Sequence, residues 1–293
     1  FLAQVLSPNT SCREIVRRVK AWHACLQSDF DASEQTVAFC KARSKLPEKT
    51  LADISKHIAR RCERNIPQDA LWKGRHVKII DGTTISMPDT PANQEQYPQH
   101  SSQKPGCGFP LMRLVGLFSL ASGALLHFAK SSIHVHETLL FRQIWGFFEK
   151  DDILLGDRGF CSFYALSELK KRGIDSVIRL NQTRKTDMTK GKKLGLNDRL
   201  QVWKKPAKSP QGISEEEFAQ IPETLTVRVV EIQFATNGFR STNCLIVTTL
   251  LDPAAYPVAA LGELYFQRWG IELHFRELKT LLKNRFRAQG VLR

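Results

Sequence analysis

Between residues 71 and 180, short apolar runs alternate with helical segments in an order that few folds share. The run HVKIIDGTTISM has the composition of a buried strand, interrupted at Asp81-Gly82. Two further apolar runs, RLVGLFSL and GALLHFAK, flank a short turn at Ala121-Ser122. Three strands joined in this way predict an antiparallel meander.

The second half of this region follows a strand–helix–strand pattern. A helix predicted from about His136 to Lys150 leads into the short apolar strand of DDILLGDRGF, and the helix FYALSELKKRG and the strand IDSVIRL follow. Such alternation predicts parallel pairing at the end of the same sheet. A meander continued by a parallel unit is the strand order of the ribonuclease H-like fold. We therefore predict an α/β protein whose core is a mixed sheet flanked by helices, with residues 71–180 as its first part.

The N-terminal region, residues 1–70, has a helical pattern. Ser11 and Glu14 form a capping box at the start of one helix, and two more helices are predicted at Ser33 to Arg43 and Leu51 to Arg64. Their basic faces are typical of helices that dock on a DNA backbone, and equally of solvated helix faces. We predict a helical DNA-binding region here and keep the second interpretation open.

The remaining chain changes pattern twice. Residues 181–250 contain a basic loop and two strand-like runs, TLTVRVVEIQFA and NCLIVTTL, which predict an inserted β-rich subdomain. Residues 251–293 predict one or two helices that return to the core, with Pro257 at the start of the last. Because the chain begins with Phe1 and stops at Arg293 just after a helical stretch, we expect a truncated product.

Charge and cysteine usage limit the class of protein. Lys and Arg number 43 against 29 Asp and Glu, a net charge of +14, which favours a polyanionic partner but also fits a plain basic surface. The seven cysteines form no C-x-x-C pair, so we expect reduced thiols in a cytosolic compartment rather than a disulfide frame or a zinc site. No apolar run is long enough to span a bilayer.

Two aspartates occupy special positions in the predicted sheet. Asp81 is predicted to end the first strand, and Asp157 directly follows the strand DILLG. A carboxylate at the end of a central strand projects from the edge where ligands bind in open α/β sheets. The alternative is turn chemistry, because Asp-Gly and Asp-Arg-Gly form turns anywhere. A third acid carried by a nearby helix would favour a functional site over turn formation.

The stretch YFQRWGIELHFRELK supplies such an acid. At about 100° per residue, one face of a helix carries Tyr265, Arg268, Glu272, Arg276 and Lys279 beside an apolar stripe. A salt-bridged surface helix would explain the charges alone.

The spacing of four of these residues resembles a known signature. Tyr265, Arg268, Glu272 and Lys279 match the Y-(2)-R-(3)-E-(6)-K pattern of the DDE transposases of bacterial insertion sequences, in particular the insertion sequence 4 family. The motifs DGTT, GDRGF and RWGIE resemble the family's three acidic blocks, in the same order. The stretches SCREIVRRV and FCKARSKLP are similar to its N-terminal region, so the resemblance covers nearly the whole chain.

The resemblance implies a metal-dependent site. Asp81, Asp157 and Glu272 would be the catalytic acids and would hold two Mg²⁺ ions, for which Mn²⁺ would substitute. The reaction implied is hydrolysis of phosphodiester bonds at the ends of an element, followed by transfer of the 3′-OH to target DNA. The expected location is the bacterial cytoplasm, in association with the nucleoid.

The resemblance also implies DNA contacts. The partner would be double-stranded DNA, both the element's terminal inverted repeats and the target, bound by a dimer. The expected contacts come from the signature helix and from the basic loop: Tyr265, Arg268, Trp269, Arg276, Lys279, Lys190, Lys192 and Lys193. Trp269 fits stacking on a displaced base and packing equally well.

Two alternatives to an active transposase remain at this stage. The chain could be an inactive DNA-binding remnant of a transposase, or a structure-selective nuclease on the same fold.

The sequence HVHE, with His134, His136 and Glu137, resembles a metal cluster, but no third ligand has suitable spacing, so we set that site aside.

Overall fold

The computed structural model describes residues 3–4, 7, 10–26, 35–181, 183–184, 186–234, 242–271 and 275, without the side chains of 234 and 242. The chain divides into two compact units, one made of Phe1–His57 with Phe275–Arg293 and the other of Ile58–His274.

Helices dominate the described N-terminal residues. The bounds are α1 (Cys12–Cys25), α2 (Thr36–Ser44) and α3 (Glu48–Arg64). Ser11 caps α1 as predicted, because its hydroxyl accepts a hydrogen bond from the Glu14 backbone N–H at 3.2 Å. Helix α3 begins three residues before the predicted Leu51, and the predicted start of α2 at Ser33 lies outside the described residues.

The larger unit is built on a nine-stranded sheet in the order β3-β2-β1-β4-β5-β9-β8-β7-β6. The strands are β1 (Val77–Ser86), β2 (Leu111–Ser119), β3 (Leu125–Ser132), β4 (Ile153–Gly156), β5 (Asp175–Arg179), β6 (Lys192–Gly195), β7 (Asp198–Lys204), β8 (Thr224–Phe234) and β9 (Thr242–Thr248). The helices of this unit are α4 (Pro91–Gln96), α5 (Glu137–Ile144), α6 (Phe163–Lys171), α7 (Glu215–Ala219) and α8 (Val258–Gln267).

The predicted strand order is confirmed. Strands β1, β2 and β3 form the antiparallel meander, and β4 and β5 continue the sheet in parallel beside β1. The mixed sheet with flanking helices has the ribonuclease H-like topology. One element differs from its prediction: α5 ends at Ile144 rather than Lys150, because the chain tightens into a 3₁₀ turn at Trp145–Phe147.

The first strand also differs from its prediction. It does not end at Asp81 but continues to Ser86, because its antiparallel neighbour β2 is long enough to pair with it throughout, with Asp81 opposite Gly116. The parallel pairing with β4, by contrast, stops at Ile80 opposite Gly156. Asp81 therefore lies where one neighbour ends and the other goes on.

The segment 181–250 is β-rich, and its strands join the same sheet. Strand β9 pairs antiparallel with β5, and β8, β7 and β6 follow outward. Arg228 of β8 is completely buried and holds Asp198 through two hydrogen bonds of 2.8 and 2.7 Å. The same guanidinium donates to the Tyr256 carbonyl at 2.7 Å, so the outer strands are tied to the loop that precedes α8.

The core lies on both faces of the central strands. Ile80 of β1, Leu154 of β4 and Ile178 of β5 are fully buried, as expected for strands covered on two sides. The described helices include none that is long and apolar enough to cross a membrane.

Candidate active site

Asp81 and Asp157 lie side by side on adjacent parallel strands. The register pairs Ile80 with Gly156; Asp81 is the next residue of β1, and Asp157 directly follows the end of β4. Neighbouring strands are about 4.8 Å apart, so the two side chains leave the sheet as neighbours. The Gly82 backbone N–H donates to the Asp81 carboxylate at 2.8 Å, and Asp157 precedes the 3₁₀ turn Arg158–Phe160. The predicted pairing of these acids at one edge is what the register produces.

Gly156 allows strands β1 and β4 to pack closely just before the two aspartates. A β-carbon on Gly156 would lie 3.0 Å from Cγ2 of Ile80, tighter than ordinary contact. The absence of a side chain at Gly156 lets Ile80 pack against β4 immediately before the two aspartates.

Arg268, which directly follows helix α8, lies at this edge of the sheet. Leu261 and Leu264 are fully buried and anchor the helix, while Tyr265 and Arg268 are 2% and 7% exposed. Nη1 of Arg268 lies 3.6 Å from Oδ2 of Asp81, and the guanidinium is 5.7 Å from the centre of the Tyr265 ring. Tyr265 and Arg268, predicted to share one face, lie close together here, and the guanidinium of Arg268 faces Asp81.

Electrostatics link the same residues to Asp157. Burial raises the pKa of the Tyr265 phenol; the positive charge of Arg268 opposes this effect and the negative charge of Asp157 adds to it. Burial also raises the pKa of the Cys244 thiol. The positive charges of Arg179 and Arg268 lower this pKa, and the negative charge of Asp157 raises it. Tyr265 and Arg268 are thus buried close to Asp157, which is itself half-buried.

Beyond α8 the described chain is short. The helix ends at Gln267, Arg268 and Trp269 form a turn, and residues 270, 271 and 275 are again helical. Trp269 is 38% exposed and meets the exposed ring of Phe266 edge-on at 5.2 Å. Three predicted site residues, Glu272, Arg276 and Lys279, lie outside the described residues.

The predicted basic loop is far from the aspartates. Lys190, Lys192 and Lys193 are exposed on and beside β6, the outermost strand on that side of the sheet. Five strand spacings separate β6 from β4, about 24 Å. These lysines form a surface separate from the acidic edge.

One acid at the site was set aside by the sequence analysis. Glu137, at the start of α5, places its carboxylate against Gly82 and near Gly159. Its neighbour His136 caps the helix by accepting the Thr138 N–H at 3.3 Å, so the HVHE motif serves a helix start rather than a histidine cluster. A usable signal was present in the sequence: a glycine follows Asp81 directly and Asp157 at two residues, which leaves room for another side chain.

The donor set suits a hard divalent cation in part. Asp81 and Asp157 supply carboxylate oxygens, the ligands that Mg²⁺ selects. Within the described ranges, no group of three or more His, Cys, Asp or Glu side chains is close enough to hold a metal ion. The predicted third ligand, Glu272, falls in the gap between residues 271 and 275.

A ribonuclease H-like sheet with paired aspartates at its edge defines a class of proteins that act at phosphodiester bonds. Residues 72–293 match the model of the transposase DDE domain family, and the chain belongs to this family of insertion-sequence transposases. DDE domains generally use divalent metal ions.

Two curated relatives come from Escherichia coli K12. Transposase InsG of insertion sequence element IS4 is 24% identical over 246 residues, which cover 84% of this chain and 53% of that protein. The putative transposase InsZ is 28% identical over 171 residues, or 56% of this chain and 55% of that protein. The chain thus spans about half the length of these relatives.

Proposed function

We propose that this chain is the catalytic part of a DNA transposase that hydrolyses phosphodiester bonds at element ends and transfers the resulting 3′-OH to target DNA. The observation that carries the proposal is the side-by-side placement of Asp81 and Asp157, with Arg268 paired to Asp81. Membership of the transposase DDE family supports the same reaction.

The acids and the arginine have different tasks. Asp81, Asp157 and Glu272 would hold two Mg²⁺ ions, which activate the attacking oxygen and stabilise the leaving oxygen. Arg268, which lies beside the Tyr265 ring and is paired with Asp81, would contact a phosphate next to the scissile bond. Lys279 and Arg276 would extend this phosphate contact, and Trp269 is exposed enough to stack on a base.

The DNA partner follows from the charge. A net charge of +14 fits a polyanion, and the exposed lysines at 190, 192 and 193 would contact phosphates away from the reacting bond. We propose the element's terminal inverted repeats and the target as the two DNA partners, with a pair of protomers holding the two ends.

The test is cleavage by single-acid variants. Asp81→Ala, Asp157→Ala and Glu272→Ala should each abolish nicking of an end-containing duplex in Mg²⁺ because each removes one ligand. DNA affinity, measured by a gel or anisotropy titration, should stay within about a few-fold, because phosphate contacts carry the binding.

Asp69→Ala is the matched control, since Asp69 is an exposed carboxylate in the turn before β1. It should cleave at the normal rate. A site variant that nicks normally would remove that residue from the mechanism, and nicking of branched DNA regardless of end sequence would favour a structure-selective nuclease.

A further inference from the structure

Glu137 occupies the space above the backbone of both aspartate segments. A β-carbon on Gly82 would lie 2.8 Å from Cδ and Oε1 of Glu137, and one on Gly159 would lie 3.8 Å from Oε2. Gly82 follows Asp81, and Gly159 is two residues after Asp157. One carboxylate therefore fills the space beside Gly82 and lies near Gly159, next to the two chain segments that carry the aspartates.

Arg113 lies beside this glutamate. Arg113 lies on β2 opposite Thr84 of β1, and its Nη1 donates to the Val135 carbonyl at 2.5 Å, just before α5. Its Nε lies 3.8 Å from Oε1 of Glu137 and has no hydrogen-bond partner among the described residues. The arginine thus anchors the chain entering α5 and turns a donor towards the carboxylate.

The first turn of a helix is an ordinary place for a glutamate, because the helix dipole favours negative charge there. Stabilisation of the helix alone would not require the side chain to fill the space beside Gly82 and to lie near Gly159. At Gly82 the fit is so close that even a methyl group would displace the carboxylate.

We propose that Glu137 is a positioning residue of the active site: it fixes the spacing of the Asp81 and Asp157 segments and adds negative charge beside the divalent cation. The inference rests on the proposed function, since it assumes that the two aspartates bind metal. Groups that orient metal ligands in this way typically change metal affinity by about 10–100-fold when they are removed.

The experiment is a titration of the full chain with Mn²⁺ alone, followed by electron paramagnetic resonance of the free ion. Glu137→Gln keeps the size of the side chain and loses its charge, and it should weaken Mn²⁺ binding by about tenfold or more. Circular dichroism and DNA affinity should remain those of the wild type. Glu137→Asp, which keeps the charge on a shorter stem, should recover part of the affinity.

Glu217→Gln is the matched control. Glu217 also lies in the first turn of a short helix and pairs with an arginine, Arg142, at 2.9 Å. It should leave Mn²⁺ affinity unchanged. An equal, negligible effect of Glu137→Gln and Glu217→Gln, with Asp81→Ala still weakening binding, overturns the inference and leaves the proposed function standing.

A double-mutant cycle supplies a second readout that does not depend on Glu137→Gln folding. Gly82→Ala should lower Mn²⁺ affinity in the wild-type background because the new methyl group displaces the carboxylate. In a Glu137→Ala background the methyl group has room, so the same change should have a much smaller effect. Equal effects in both backgrounds would also overturn the inference. If Asp81→Ala leaves Mn²⁺ binding unchanged, the proposed metal site fails, and this inference fails with it.

Discussion

Arg268 is a cation held almost entirely away from water, between an aromatic ring and a carboxylate. An arginine presents its donors in a fixed plane, which a lysine does not do. The 3.6 Å separation between Nη1 of Arg268 and Oδ2 of Asp81 is within the range of an ion pair and longer than a hydrogen bond.

Glu272 and Glu277 are the two acids that could complete the site from the same helical stretch. If this stretch is helical, as its sequence pattern predicts, Glu272 would share the face of Arg268 and Glu277 would point about 140° away from Glu272. We expect Glu272→Gln to abolish cleavage, because the amide keeps the size of the side chain but lacks the negative charge that a metal ion requires. Glu277→Gln should cleave almost normally and change the free energy of unfolding by less than about 0.5 kcal/mol.

Nicking assays and urea denaturation on both variants measure these effects. The reverse outcome would show that the helix phase is wrong beyond Ile271, and the assignment of Arg268 and Lys279 to phosphate contacts would fail with it.

At the scale of single residues, the sequence was sufficient for the aspartate pair and insufficient for Glu137. Asp81 and Asp157 could be found because each follows a buried apolar run, a local pattern. The contact of Glu137 with Gly82 joins residues more than fifty positions apart and depends on how α5 packs on the sheet, which no local pattern reports.

Asp175 shows how secondary-structure elements are joined at the start of β5, the opposite end of the strands from Asp81 and Asp157. It opens β5 and accepts hydrogen bonds from Lys170 of α6 at 2.6 Å, Arg75 before β1 at 2.8 Å and Thr249 after β9 at 2.8 Å. Burial acts to raise the pKa of Asp175, but these hydrogen bonds outweigh it and hold the pKa below its usual value.

The stability of the fold should depend on pH through this carboxylate. Because its pKa is lower in the folded chain, the contribution is complete above the unfolded pKa, about 3.9, and is lost as the pH falls through the folded value. Asp175→Asn should reduce the free energy of unfolding by about 2 kcal/mol at pH 7, and the difference should shrink below about pH 4.

Urea unfolding of both proteins between pH 7 and pH 3 tests this dependence. Asp69→Asn, a change at an exposed carboxylate, should stay within about 0.5 kcal/mol of the wild type at pH 7. A wild-type advantage that grows on acidification would contradict the assignment.

Strand ends were harder to predict than strand order. The apolar run of β1 is broken at Asp81-Gly82, and the sequence therefore suggested an end there. The strand continues because β2 supplies hydrogen-bond partners as far as Ser86, a property of the neighbour rather than of the run itself. The same reasoning explains why the β-rich segment could be recognised but its attachment to β5 could not.

At the scale of the whole molecule, the exposed lysines on and beside β6 lie well away from the acidic edge. Changing Lys190, Lys192 and Lys193 together to glutamine should weaken binding to all DNA sequences alike, because phosphate contacts carry no base information. If all three touch phosphates, the slope of log affinity against log salt concentration should fall by about 2.7, or about 0.9 per contact.

The comparison requires a variant with the same net charge. Changing the exposed lysines Lys104, Lys150 and Lys208 to glutamine removes equal charge elsewhere on the chain. Anisotropy titrations at several salt concentrations should give a larger change in slope for the first variant. Equal slopes for the two variants would mean that Lys190, Lys192 and Lys193 act only through net charge.

The pairing of β5 with β9 has a consequence for the order of events during synthesis. Arg179 pairs with Ile246, so one side of β5 has no partner until the ribosome has added the intervening residues. At about 5–20 residues per second this takes several seconds, during which an open apolar strand edge can recruit other chains. Helix α8, with Tyr265 and Arg268, emerges later still. A nascent chain therefore gathers the two aspartates early but cannot set the arginine beside them until translation has passed residue 268.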